Sequence, residues 1–218
     1  MSYPYDLGTY HRPVTTTSAE AQEWFDRGLA WIYGFDLEMA GRCFNEAIAR
    51  DNDCAMAYWG LAYASGIYYN KPWHRMQQDE LVEKLKLTYE ISREAKARSN
   101  TVSVAEKGLI DALVFRYQSP VPIKDDGYNQ WNDDYANAMR RVYQECSDDL
   151  DIVALFAESM MTRTPWALWD LVSGQPAEGA STLESVDVLE CAIRRIDLRK
   201  ESPHPGLLHM YIHVMEMS

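Results

Sequence analysis

Cysteine is scarce in this chain of 218 residues: Cys43, Cys54, Cys146 and Cys191 stand far apart and make no Cys-x-x-Cys pair. A disulfide framework is not indicated, and a reduced, cytoplasmic chain is the simpler reading. No apolar stretch approaches the ~20 residues of a membrane-spanning helix. The first residues carry no basic region followed by an apolar run, so no secretory signal is read there. Basic residues are outnumbered, 21 Lys and Arg against 33 Asp and Glu, for a net charge of −12. No Lys/Arg cluster offers phosphates a basic face, so neither nucleic acid nor an anionic membrane is an expected partner. Gly28, Gly34, Gly41, Gly60 and Gly66 are scattered and form no phosphate-cradling loop, so no nucleotide cofactor is expected. A Gly-x-Ser-x-Gly elbow is absent, and no run alternates apolar and polar residues as a half-buried strand would.

Hydrophobic residues make up 47% and charged residues 25%, ordinary for a globular protein. Seven Trp and 14 Tyr exceed what a plain helical spacer needs, and point to a thick core, a ligand groove, or both. Three pairs have capping-box spacing, Thr17 with Glu20, Ser103 with Glu106 and Ser181 with Glu184, and mark helix starts. Residues 1–16 then read as an extended lead-in.

From 18 to 68 the periodicity is helical and repeats itself. Trp24, Gly28 and Trp31 share one face of a first helix, and Ala40, Phe44 and Ala47 one face of a second. Asp51, Asn52 and Asp53 break the chain. Tyr58 and Trp59 follow Trp24 and Phe25 by 34 residues, and Ala62 follows Gly28 by the same interval. The pattern resembles the tetratricopeptide repeat, with Asn52 where the repeat usually has proline. Small residues at 28, 40 and 47 would let paired helices approach while bulky ones at 24, 31 and 44 fill the gaps.

Pro72 interrupts the second repeat. Helical patterning resumes over 79–98, 103–118, 130–146, 151–162 and 182–196, and last from Pro205 to Ser218. Segments 119–128 and 163–180 read as irregular. The predicted fold is all-α, with antiparallel helix pairs stacked as a tetratricopeptide-like solenoid or superhelix. It comprises one helical domain over 17–218, with the clearest repeats in 17–98 and degenerate helical hairpins in 99–218. The paired carboxylates Asp125–Asp126, Asp133–Asp134 and Asp148–Asp149 fall at predicted helix ends or loops, as capping or solvated groups.

Three of the five histidines lie in the last 15 residues. His209, His213 and Glu216 form one narrow stripe on an otherwise apolar helix, whereas exposed faces elsewhere use Glu, Lys, Asp and Arg. Histidines at i and i+4 can reach one divalent ion. Glu216 lies roughly 10 Å along the axis from His209 at 1.5 Å per residue, which makes it a partner orienting His213, or a ligand only in place of His209. His204 could fold back as a third ligand. Imidazole with carboxylate suits iron, copper or zinc. The alternative is a set of buried or solvent-facing structural histidines. Met210 occupies the place of the general base in His-Glu-x-x-His, which disfavours a zinc protease. The lone histidines His11 and His74 read as structural or exposed.

Two aromatic segments interrupt helices: one with Tyr69, Asn70, Lys71 and Trp73, the other with Trp166 and Trp169. Such insertions either line a binding face or plug the ends of the stack. Asn70 and Lys71 are the first polar candidates for ligand contact.

Residues 21–29, 54–62, 69–73, 164–169 and 204–213, the last spelling His-Pro-Gly-x-x-His-x-x-x-His, together resemble a group of large bacterial and fungal tetratricopeptide-containing proteins. The resemblance implies a longer relative that continues into further helical repeats with another histidine-rich segment. This chain would correspond to its N-terminal part. Relatives commonly have Asn-His-Glu where this chain has Asp36, Leu37 and Glu38, and Gly-Pro-Asn where it has Gly66, Ile67 and Tyr68.

Two functions follow. One is a helical-repeat binding protein presenting a concave groove to a peptide, partner protein or small ligand. The other is a metal-dependent enzyme acting on a small molecule at the 205–218 helix. Self-association, or a missing C-terminal half, is a third consideration.

Overall fold

A computed structural model describes residues 3–218, the side chains of Asp125 and Asp126 excepted; the predicted capping role of those two carboxylates lies outside the described residues. The chain is all-helical in its architecture. In order come α1 (Ala19–Tyr33), α2 (Leu37–Arg50), α3 (Ala55–Ser65), α4 (Gln78–Ala97), α5 (Val104–Arg116), α6 (Asp125–Glu145), α7 (Leu150–Met161), α8 (Thr182–Arg199) and α9 (Pro205–Met215). A short 3-10 turn, Trp73–Arg75, precedes α4. Inside the irregular 163–180 stretch sits a hairpin of two-residue strands, Trp169–Asp170 and Gln175–Pro176. No helix among the described residues is long and apolar enough to cross a membrane.

Each helix packs on its neighbour in sequence, and α1 also touches α3, α3 touches α5, and α7 touches α9. The contact between α1, α2 and α3 is set by one ring. Phe44 of α2 is fully buried against Phe25, with centroids 5.6 Å apart. A Cβ on Gly28 of α1 would lie 2.7 Å from this ring, and one on Gly60 of α3 only 2.3 Å away. Phe44 therefore fills a slot that two glycines leave open on facing helices. Helix α7 is buried along 151–161, as an all-round apolar helix must be. At its centre Glu158 accepts from Arg116 Nη1 and Nη2 at 2.9 and 2.8 Å and from Thr162 Oγ1 at 2.8 Å. Helix α9 packs on α7 and α8 and also reaches α1, so the last helix returns to the first.

Several local expectations are corrected. The α1 cap is Ser18, not Thr17: its Oγ accepts from the Ala21 N–H, while Glu20 faces outward and pairs with Arg50. Trp24 and Trp31 do not fill the gap between paired helices; Phe25, Leu29 and Ile32 do, since these lie fully buried one turn apart. The two tryptophans instead seat the lead-in. Tyr3 packs edge-on against Trp24, and its hydroxyl accepts from Trp31 Nε1 at 2.6 Å.

The box at Ser103 and Glu106 forms in full. Glu106 also accepts from the Thr15 amide and hydroxyl at 2.6 and 2.7 Å, which straps the lead-in to α5. Burial raises the Glu106 pKa, but the Thr15 and Ser103 hydrogen bonds outweigh it and hold the carboxyl below its usual value. Ser181 precedes α8 without capping it, because its hydroxyl accepts from Arg163 while Glu184 pairs with Arg140.

Helix α6 begins at Asp125, five residues before its predicted start, and α8 continues to Arg199, where Lys200 ends it in the left-handed conformation at φ +56°. Helix α9 stops at Met215. Of the other carboxylate pairs, Asp149 caps α7 and Asp148 is exposed, paired with Arg195, while Asp133 and Asp134 bind Arg163 and Gln118.

Candidate functional site

The turn between α1 and α2 carries the residue around which the site is built. Phe35 adopts φ +58°, a left-handed conformation that disfavours any residue with a Cβ. Its ring lies against Tyr68 with centroids 5.2 Å apart, against His209 at 4.4 Å, and stacks on His213 at 5.2 Å and 13°. Phe35 borders a groove and also touches the two histidines of α9.

The groove runs between α2 and α4 over α3 and encloses about 890 Å³. Leu37, Leu61, Leu87 and Ile91 give it an apolar floor, and Asn45 and Ser65 add neutral polar groups. Two ion pairs lie along it, Arg42 with Glu38 and Lys71 with Glu80. A cleft of this size fits within the range of ligand sites.

His209 and His213 project from the same face of α9, as their four-residue spacing requires. Their Nε2 atoms stand 3.0 Å apart. His209 Nδ1 faces the Tyr33 carbonyl, and His213 Nδ1 faces Glu216 Oε1 at 3.1 Å. Burial, with the backbone acceptor and Glu216 opposing and His213 assisting, holds His209 below its usual pKa. Tyr69 closes another side, its ring 5.2 Å from His213. Burial and the Glu216 carboxylate push the Tyr69 hydroxyl up to about 12, a Trp166 backbone group opposing. Glu216 thus contacts His213, three residues before it, through Oε1.

His204 stands apart from this pair. It is the cap of α9: its Nδ1 accepts from the Leu207 N–H at 3.2 Å. That leaves Nε2 to carry the proton, and Nε2 donates to Asp151 Oδ1 at 3.2 Å. Both nitrogens are engaged, so the fold-back to a shared ion is not made. Asp151, at the start of α7, also accepts from Arg12 Nη1 at 2.7 Å and from the Tyr10 and Tyr33 hydroxyls. Burial alone would raise its pKa. The His204 hydrogen bond and the Arg12 charge instead hold the carboxyl well below the usual carboxylate range. This buried knot ties the lead-in, α1, α7 and α9 together. Among the described residues, no three His, Cys, Asp or Glu side chains are placed to hold one ion together.

The two aromatic segments meet. Trp166 Nε1 donates to Asn70 Oδ1 at 3.2 Å, and the Arg75 guanidinium covers the Trp166 ring at 4.1 Å. Trp169 Nε1 donates to the Val214 carbonyl near the end of α9. Trp73 is buried and stacks on Tyr128 with centroids 5.1 Å apart, which plugs the space between the 66–77 connector and α6. Lys71 reaches the groove; Tyr69 faces the histidines. His11 pairs with Asp26 at 2.7 Å, and His74 is exposed. Phe35 and the Tyr33 carbonyl are the site groups that sequence reasoning missed. A left-handed phenylalanine leaves no signature in composition or periodicity. No protein-family model, curated protein or solved structure matches this chain.

Proposed function

We propose that this protein is a tetratricopeptide-like binding module whose groove between α2 and α4 takes an extended segment of a partner protein. The observation that carries the reading is the groove itself, about 890 Å³, open to solvent, lined by apolar residues of three helices and bordered by charges of both signs. Mixed borders suit a peptide carrying both charges better than a polyanion or an isolated small molecule. The repeat assignment draws support from the buried positions. Phe25 and Trp59, then Leu29 and Tyr63, recur 34 residues apart and are each nearly inaccessible. The second helices are less regular: α4 starts 41 residues after α2 (78 − 37), because the 66–77 connector adds chain at the groove's end.

Gly41 borders the groove, and a Cβ there would meet only Leu61 Cδ1, at an ordinary 3.8 Å. Gly41→Trp should fill the groove without disturbing the core. Peptides selected from a random display library against the wild-type chain should lose about tenfold or more in affinity for Gly41→Trp, a change of about 1.4 kcal/mol. Equal binding to both proteins, with unaltered melting temperatures, would place their contact elsewhere and end the groove reading.

A further inference from the structure

The acceptors beside His209 and His213 constrain where the protons of the two neutral rings can sit. The Tyr33 carbonyl can only accept, so His209 Nδ1 carries a proton and donates it. Glu216, 3.1 Å from His213 Nδ1, accepts in the same way. In each neutral ring the proton is therefore on Nδ1, and Nε2 presents a bare lone pair. Yet the two Nε2 atoms face each other at 3.0 Å. Two lone pairs at that distance form no hydrogen bond and repel unless a proton or a metal ion lies between them.

We propose that His209 and His213 bind a divalent first-row transition-metal ion through Nε2, the further coordination positions being open to water or a small anionic ligand. The spacing fits. With metal–nitrogen bonds of about 2.05 Å, two imidazole nitrogens lie about 2.9 Å apart at a right angle and about 3.3 Å apart at the tetrahedral angle. Both rings are oriented by acceptors on their far nitrogens, the arrangement that fixes ligand tautomer and raises basicity at metal centres. Phe35, stacked on His213, and Tyr69 wall the pair, which favours exchange of hydration water for imidazole. Imidazole donors rank Cu(II) above Zn(II) and exclude Mg(II) as a good fit. With two protein donors, an ion here is coordinatively unsaturated and can polarise a bound water or carboxylate. The histidine pair shares Phe35 with the groove but does not require a peptide bound there.

The test uses the full chain, stripped with EDTA and titrated with CuCl2 and ZnCl2, with MgCl2 as the control. One equivalent should bind, and the Cu(II) EPR spectrum should carry hyperfine structure from two imidazole nitrogens. His209→Ala and His213→Ala should each weaken binding about tenfold or more, Glu216→Gln by about tenfold, and His11→Ala and His74→Ala not at all. Nitrogen-15 NMR of the histidines in the metal-free protein needs no variant: it should find both rings protonated at Nδ1. An Nε2–H on either ring overturns the proposal. So does Cu(II) or Zn(II) affinity that the His209→Ala/His213→Ala double substitution leaves unchanged.

Discussion

Substituting Gly60 by alanine tests the interlock that holds the first three helices together. In an exposed helix the change would stabilise by about 1 kcal/mol, because alanine has less backbone freedom to lose. Here the new Cβ would arrive 2.3 Å from Phe44 Cε1, and the ring cannot retreat toward α1, where it already occupies the space beside Gly28. Overpacking of this kind costs typically 1–3 kcal/mol, and the absence of an escape route places it at about 3. Subtracting the propensity gain leaves a net loss of about 2 kcal/mol. In a Phe44→Leu background the ring edge is gone and Gly60→Ala should become neutral or mildly stabilising. The coupling in a double-mutant cycle, read from urea denaturation midpoints, should then be about 2 kcal/mol. Independent sites add to within about 0.5 kcal/mol. Additivity at that level, or stabilisation by Gly60→Ala in the wild-type background, would refute the shared-slot packing.

Three other perturbations separate the remaining forces. The Asp151 carboxyl is depressed in the folded protein, so the stability it contributes is present above its unfolded pKa, about 3.9, and is lost as pH falls toward the folded value. Asp151→Asn should therefore cost about 3 kcal/mol at pH 7, and the gap to wild type should shrink below about pH 4; a gap constant from pH 7 to 3 would discount the charge. Arg116→Met strands Glu158 uncompensated in the core and should cost about 3–5 kcal/mol, while adding Glu158→Leu should restore part of it; a double variant less stable than the single would contradict this. Phe35→Gly and Phe35→Ala remove the same ring, but alanine keeps the left-handed strain, so the glycine variant should be more stable by about 1 kcal/mol. Equal melting temperatures would mean the turn relaxes.

The helices were legible because their signals are local. Ser103 and Glu106 name a helix start by reciprocal hydrogen bonds, and Pro205 sits at the first position of α9, where its missing N–H costs nothing. Thr17 and Glu20 carry the same spacing and fail, because Ser18 offers a hydroxyl one residue closer to α1. Spacing ranks candidates for a cap, and competition between adjacent hydroxyls chooses. The faces of α1 are ambiguous in sequence for a related reason. Trp24 and Trp31 outweigh Phe25 and Leu29 in size, yet size does not say which face meets α2 and which meets the lead-in. That choice depends on Gly28 and Gly60, one on each flanking helix, receiving Phe44 from the helix between them.

The candidate site divides in the same way. Four-residue spacing brings His209 and His213 together, and three-residue spacing brings Glu216 to His213; both follow from helix geometry alone. His204, only five residues from His209, parts from them because a proline helix start needs a cap and Asp151 needs a donor. What would make the histidine stripe a cation site is non-local: the Tyr33 carbonyl at the end of α1, reached only because α9 packs back onto the first helix. Gly206 permits that return, since a Cβ there would lie 2.5 Å from the Tyr33 ring. Phe35, two residues beyond Tyr33, then borders the groove and also contacts the histidines. A bulky residue persists at a left-handed turn only when its surroundings over-determine it. Here those surroundings are the two places where a ligand would sit, and an occupant of either would press on the same ring.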